Sequence, residues 1–144
     1  MKKKKKKKNY LNKQICKKCG GHCCKTMPGA ATPDDFEKPL LQSLTKAFKS
    51  GKWSIDWWED AIQEYFIRPA TKHSVSLYDP SYGGECVFLE GDCKLGDYER
   101  PIECRMLEPG KKGCKKHGVD RETLSKQWLP FYDIIKEAAK LSQL

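Results

Sequence analysis

Apolar positions along the chain change their spacing from segment to segment, and those changes predict its elements. Leu40, Leu41, Leu44, Ala47 and Phe48 recur at helical spacing and form one buried face. Pro39 suits the first turn of that helix and Gly51 suits its stop, just after Ser50. Pro33-Asp34-Asp35 reads as a helix start whose carboxylates can cap free N–H groups. Trp53, Ile55 and Trp57 then alternate with Ser54 and Asp56, as in a half-buried strand. Tyr65-Phe66-Ile67-Arg68 before Pro69 is a second strand, and Val75 and Leu77 mark a weaker third. Cys86-Val87-Phe88-Leu89, Glu90-Gly91-Asp92 and Cys93-Lys94-Leu95 read as a tight hairpin with a cysteine on each side of its turn. Arg100-Pro101 and Glu108-Pro109-Gly110 mark further turns. From Asp120 to Gln143 a single stripe of Leu124, Trp128, Phe131, Ile135 and Ala138 predicts a helix, bent or split at Pro130. Together these elements predict a small single α+β domain, helices packed on a few short strands.

Composition supports a folded chain. Hydrophobic residues make up 38% of the 144, and four Trp, six Tyr and five Phe supply large buried areas. No apolar run approaches the roughly 18 residues of a membrane span, and no apolar segment follows the N-terminal lysines as a secretory signal requires. The expected location is cytoplasmic. The formal charge is +9, but Lys2–Lys8 supply seven positives, and nine less seven leaves +2 for the rest. Residues 1–14 therefore read as a disordered basic leader and residues 15–144 as the domain. A lysine run attracts nucleic acid or anionic membrane, but no base-reading pattern accompanies it, so the solvated tail is preferred to a nucleic-acid site.

Cysteine carries the functional argument. Four of eight lie within nine residues, at Cys16, Cys19, Cys23 and Cys24; the others are Cys86, Cys93, Cys104 and Cys114. In a reducing compartment such clustering points to metal first, with redox chemistry or ordinary buried thiols as alternatives. The two-residue spacing of Cys16 and Cys19 lets both reach one tetrahedral ion. Gly20-Gly21 frees the backbone to turn N–H groups toward the sulfurs. Neighbouring side chains diverge, so adjacent Cys23 and Cys24 hint at two metals or at one ligand plus a bridging or outer thiol. His22 and His117, the latter at Cys-x2-His spacing from Cys114, are alternative ligands; His73 is background. Sulfur donors suit zinc, iron or an iron–sulfur cluster.

Cys16-x2-Cys19-x3-Cys23-Cys24, followed by Cys86-Val87-Phe88-Leu89, Cys93 and Arg100-Pro101-x2-Cys104-Arg105, resembles the YkgJ-like cysteine-cluster family, described as zinc- or iron-chelating domains with a CxxCxxCC motif. The resemblance spans residues 16–105. It departs from the family pattern in having three residues, not two, between Cys19 and Cys23, and Cys114 lies outside the core motif. It implies a domain built round a Cys-ligated metal core, with Cys16, Cys19, Cys23, Cys24, Cys86, Cys93 and Cys104 as its main ligands; Cys114, outside the motif, is the eighth expected ligand.

Three functions follow as expectations. The first is a metal-binding protein whose metal is structural and serves storage, sensing or delivery. The second is a metal-dependent or redox enzyme acting on a protein side chain, similar to flagellin lysine N-methylase relatives by analogy only, since no Gly-rich nucleotide-binding turn is present. Asp56, Glu59, Asp60 and Glu64 are its carboxylates, read preferentially as a solvated face, and Arg100 and Arg105 either bind an anion or offset thiolate charge. The third is nucleic-acid or membrane binding through the lysine run. Metal ions are the expected partners, together with a protein partner or substrate.

Overall fold

The computed structural model describes residues 29–58, 61–74, 76–79, 84–90, 92–95, 100–108, 115–116 and 121–143. The lysine leader, the leader–domain boundary, Cys16, Cys19, His22, Cys23, Cys24, Cys114 and His117 lie outside the described residues, as do Glu59, Asp60 and Val75. The described part is a small α+β assembly, as the pattern of apolar positions predicts.

Its centre is an antiparallel ribbon. Strand β1 (Trp53–Trp58) pairs with β2 (Ala61–Pro69) in a register that sets Ser54 opposite Arg68, Ile55 opposite Ile67 and Trp57 opposite Tyr65. β-branched and aromatic residues favour this pleated surface. Pro69, which donates no ladder bond, stands at the strand's end.

Helix α1 (Leu40–Lys49) begins directly after Pro39 and buries Leu44 and Phe48. Gly51 ends the turn with φ +73, its N–H donated to the Phe48 carbonyl at 3.2 Å, a left-handed stop that glycine adopts without steric cost. The C-terminal stripe is split as Pro130 requires: α3 (Arg121–Trp128), a 3-10 turn (Leu129–Phe131) and α4 (Tyr132–Ser142). α1 packs on α4 and α3 packs on β2. Leu44, Phe48, Ile55, Phe66, Ile67, Leu124, Trp128, Ile135 and Ala138 form the core these contacts enclose. Each Leu, Ile and Phe among them contributes roughly 1.5–3 kcal/mol by leaving water. Phe36 sets its ring edge-on to Trp53 and Trp128, so these aromatics pack the core.

Four expectations are corrected. Pro33-Asp34-Asp35 is a 3-10 turn, not the first turn of a longer helix, and Asp35 caps an amide of a second segment as well as its own. Of the strand expected at Val75 and Leu77, the described residues show one parallel bridge, Ile55 with Tyr78, while Thr71, Ser74 and Asp79 spend polar groups on one another and on Arg68. The Cys86–Leu95 hairpin is shorter than predicted: β3 (Leu89–Glu90) pairs with β4 (Asp92–Cys93), and Cys86 instead bridges Thr71. Arg100-Pro101 does not simply turn; it leads into a single helical turn, α2 (Ile102–Arg105). α2 runs on into β5 (Leu107–Glu108), which pairs with β6 (Lys115–Lys116), the residues immediately after Cys114. No helix among the described residues is long and apolar enough to cross a membrane.

Candidate metal centre

Cys104 sits within α2, and the chain leaving the four-cysteine segment is pressed against it. A Cβ placed on Gly29 would lie 2.3 Å from Cys104 Sγ and 3.0 Å from the Cys104 backbone nitrogen. The sulfur thus occupies a cradle that any side chain at position 29 would fill. Gly29 stands only five positions after Cys24 in sequence. At about 3.4 Å per extended residue, Cys24 is tethered within roughly 17 Å of Gly29.

The segment 29–32 is buried and zipped to α2. The Glu103 amide donates to the Ala30 carbonyl at 3.0 Å, and the Ala30 amide donates to Glu103 Oε1 at 3.3 Å. On its other sides, the Ala31 amide donates to the Ile67 carbonyl on β2, and Trp128 Nε1 of α3 donates to the Ala31 carbonyl, both at 2.8 Å. Thr32 Oγ1 donates to Gln127 Oε1 at 2.6 Å. Buried backbone groups must be paired, so these bonds fix the exit of the cysteine segment against strand and helix alike.

Asp35 joins the two segments. Its Oδ2 accepts from the Thr32 amide at 3.0 Å and from the Ile102 amide, the first of α2, at 2.9 Å. Its Oδ1 accepts from Arg105 Nη2, and Arg105 Nε donates to the Arg100 carbonyl at 2.9 Å. Both side chains of this ion pair are buried. Arg105 therefore serves the architecture of α2 through Asp35 and the Arg100 carbonyl. Neither Asp35–Arg105 nor the Gly29 cradle was named from sequence as part of a site. The Arg-Pro-x2-Cys-Arg spacing was the available signal, since a short helical turn needs both a cap and a counter-ion.

A second buried arginine fixes Cys86. Arg68, fully buried on β2, donates from Nε to Asp56 Oδ2 at 2.8 Å. From Nη2 it reaches the Asp79 carbonyl at 2.6 Å and Asp79 Oδ2 at 3.2 Å, and from Nη1 the Pro69 carbonyl at 2.9 Å. Asp79 Oδ2 also accepts from Ser74 Oγ at 2.6 Å, and Ser74 Oγ accepts the Thr71 amide at 3.0 Å. Thr71 is the residue that Cys86 bridges, with the Val87 amide on the Ala70 carbonyl and the Lys72 amide on the Glu85 carbonyl, both at 2.9 Å. Asp56 is accordingly corrected: it belongs to no solvated face but is buried as the counter-ion of Arg68. A carboxylate so engaged is not an available proton acceptor.

Half-exposed aromatics cap the far end of the ribbon, where Tyr65 stands edge-on to both Trp57 and Tyr132. The Tyr132 hydroxyl accepts the Tyr65 amide at 2.9 Å. Burial lifts the Tyr132 phenol above the ordinary tyrosine value, the Tyr65 amide opposing it and the nearby Glu64 charge adding to it.

Of the eight predicted ligands, the described residues place the side chains of Cys86, buried beside Thr71, and Cys104, half-buried beside Gly29. Cys93 is placed by its backbone, opposite Leu89. The other five lie outside the described residues, and His73 is exposed. Among the described residues no group of three or more His, Cys, Asp or Glu could hold a metal ion. The chemistry of the donor set fits a thiophilic metal, and Cys104 Sγ lies against Gly29, five positions after Cys24 in sequence. Comparison with protein-family models, with curated proteins and with solved structures finds no match.

Proposed function

We propose that this chain is a cysteine-cluster metal protein of the YkgJ-like kind. Zinc or iron, the latter as an ion or an iron–sulfur cluster, organises the fold and is stored, sensed or delivered through it. Cys16, Cys19, Cys23 and Cys24 supply the dense half of the ligand set. Cys104 completes a site with thiols of that cluster, and Cys86, Cys93 and Cys114 are the remaining ligands. The observation that carries this reading is the contact of Gly29 with Cys104 Sγ. It brings the exit of the four-cysteine segment onto a distal cysteine 75 positions beyond Gly29 in sequence.

The short strand pairs support the same reading. β3–β4 and β5–β6 are two residues per strand, and isolated two-stranded hairpins are marginal in water even when longer. One carries Cys93, and the second strand of the other begins immediately after Cys114. Structural zinc contributes on the order of 10 kcal/mol in small domains, enough to hold such pieces.

The test is elemental analysis and a visible absorption spectrum of the anaerobically purified full chain, beside a variant with Cys16, Cys19, Cys23 and Cys24 all changed to Ser. Stoichiometric zinc or iron in the native chain and its loss in the variant is the expected result. A folded, metal-free native chain contradicts the reading.

A further inference from the structure

We infer that Asp35 is a positioning residue for the Cys104 ligand, holding the two cysteine-bearing segments in register; this rests on the metal-binding reading above. One carboxylate oxygen accepts amides from both segments: Thr32, on the chain leaving the four-cysteine cluster, at 3.0 Å, and Ile102, at the start of the turn that carries Cys104, at 2.9 Å. The second oxygen takes Arg105, the residue next to Cys104, in an ion pair whose side chains are 3% and 5% exposed. The Ala30–Glu103 bond pair lies between these clamps and the Gly29–Cys104 contact. Moving the Asp35 carboxylate therefore shifts Cys104 Sγ relative to Gly29, the residue five positions after Cys24 in sequence. Groups hydrogen-bonded directly to a metal ligand typically change metal affinity by about 10–100-fold when mutated, and Asp35, which acts through Ile102 and Arg105, falls at the low end of that range.

Asp35 differs from a residue that merely stabilises the fold in what its loss does to affinity. Zn2+ affinity is measured on the full chain by competition with a chromophoric chelator, for the native protein and for Asp35→Asn, Arg105→Lys and Leu44→Ala. Leu44 lies in the core between α1 and α4 and touches no cysteine-bearing segment through any bond described above, so Leu44→Ala measures the effect of lowered stability alone. The expected result is a loss of about 10-fold for Asp35→Asn, a smaller loss for Arg105→Lys, which keeps the charge, and native affinity for Leu44→Ala. If Asp35→Asn does not fold, Arg105→Lys carries the same comparison against Leu44→Ala. Native affinity in Asp35→Asn or Arg105→Lys, or an equal fall in Leu44→Ala, overturns the positioning role while leaving metal binding standing. A native chain that binds no Zn2+ and holds no metal overturns both.

Discussion

Gly29 and Cys104 meet so closely that the sulfur of one occupies the place of a side chain on the other. The relationship is one of shape. Glycine is required at position 29 by the approach of Sγ, and the approach of Sγ is set by the bonds between Ala30 and Glu103.

Gly29→Ala is expected to destabilise the protein by about 1–3 kcal/mol, because overpacking a fixed contact forces backbone or side chains to shift. Cys104→Ala removes the sulfur that the new methyl meets at 2.3 Å, so the double variant should lose less than the sum of the singles. Urea midpoints of the four proteins of this cycle check the coupling. Strict additivity would mean that the two residues do not meet in solution.

Arg68→Met leaves the Asp56 and Asp79 carboxylates without the guanidinium that lies between them. Removing one partner of a buried ion pair typically costs about 3–5 kcal/mol. Asp56→Asn added to Arg68→Met should recover part of that loss, since one stranded charge disappears. Chemical denaturation gives the sign. A double variant no more stable than Arg68→Met would show that Asp56 is not the principal counter-ion.

Trp128→Phe deletes the indole N–H that the Ala31 carbonyl accepts and leaves that buried oxygen short of a donor. The expected cost is about 1–3 kcal/mol. Trp128 is fully buried, so its removal should also shift the averaged tryptophan emission to longer wavelength. A shift to shorter wavelength with unchanged stability would place the ring in water.

Alkaline pH should weaken the ribbon's aromatic end. The folded Tyr132 phenol titrates above the unfolded value of about 10 because burial opposes its charge. The neutral phenol therefore contributes stability that is complete below that unfolded value and is lost as pH rises through the higher folded one. Tyr132→Phe should show a shallower fall of stability above pH 10 than the native protein, read from unfolding midpoints across the alkaline range. An identical slope would mean that Tyr132 is solvated.

Much of the fold was legible because periodic burial dictates it. The α1 face, the Gly51 stop, the two strands and the break at Pro130 all follow from local rules. Long-range polar choices were not legible. Arg68 sits in an apolar strand run, and nothing local says that Asp56 and Asp79 will turn inward to meet it. Ser54 and Asp56 were expected to face solvent, yet both are buried, because residues 77–79 and the Arg68 network cover that face. At the candidate site the cysteines were legible by count and spacing. The grouping of Gly29, Asp35 and Arg105 around Cys104 was not, since it joins residues 70 positions apart.

The claim on which the account rests is that Cys104 and the entering cysteine cluster share one metal. X-ray absorption at the metal edge of the anaerobically purified full chain, native and Cys104→Ala, tests it most directly. The account predicts a sulfur shell at about 2.3 Å in the native protein that loses a scatterer in Cys104→Ala. A native protein without stoichiometric metal, or a sulfur shell unchanged by Cys104→Ala, would contradict it.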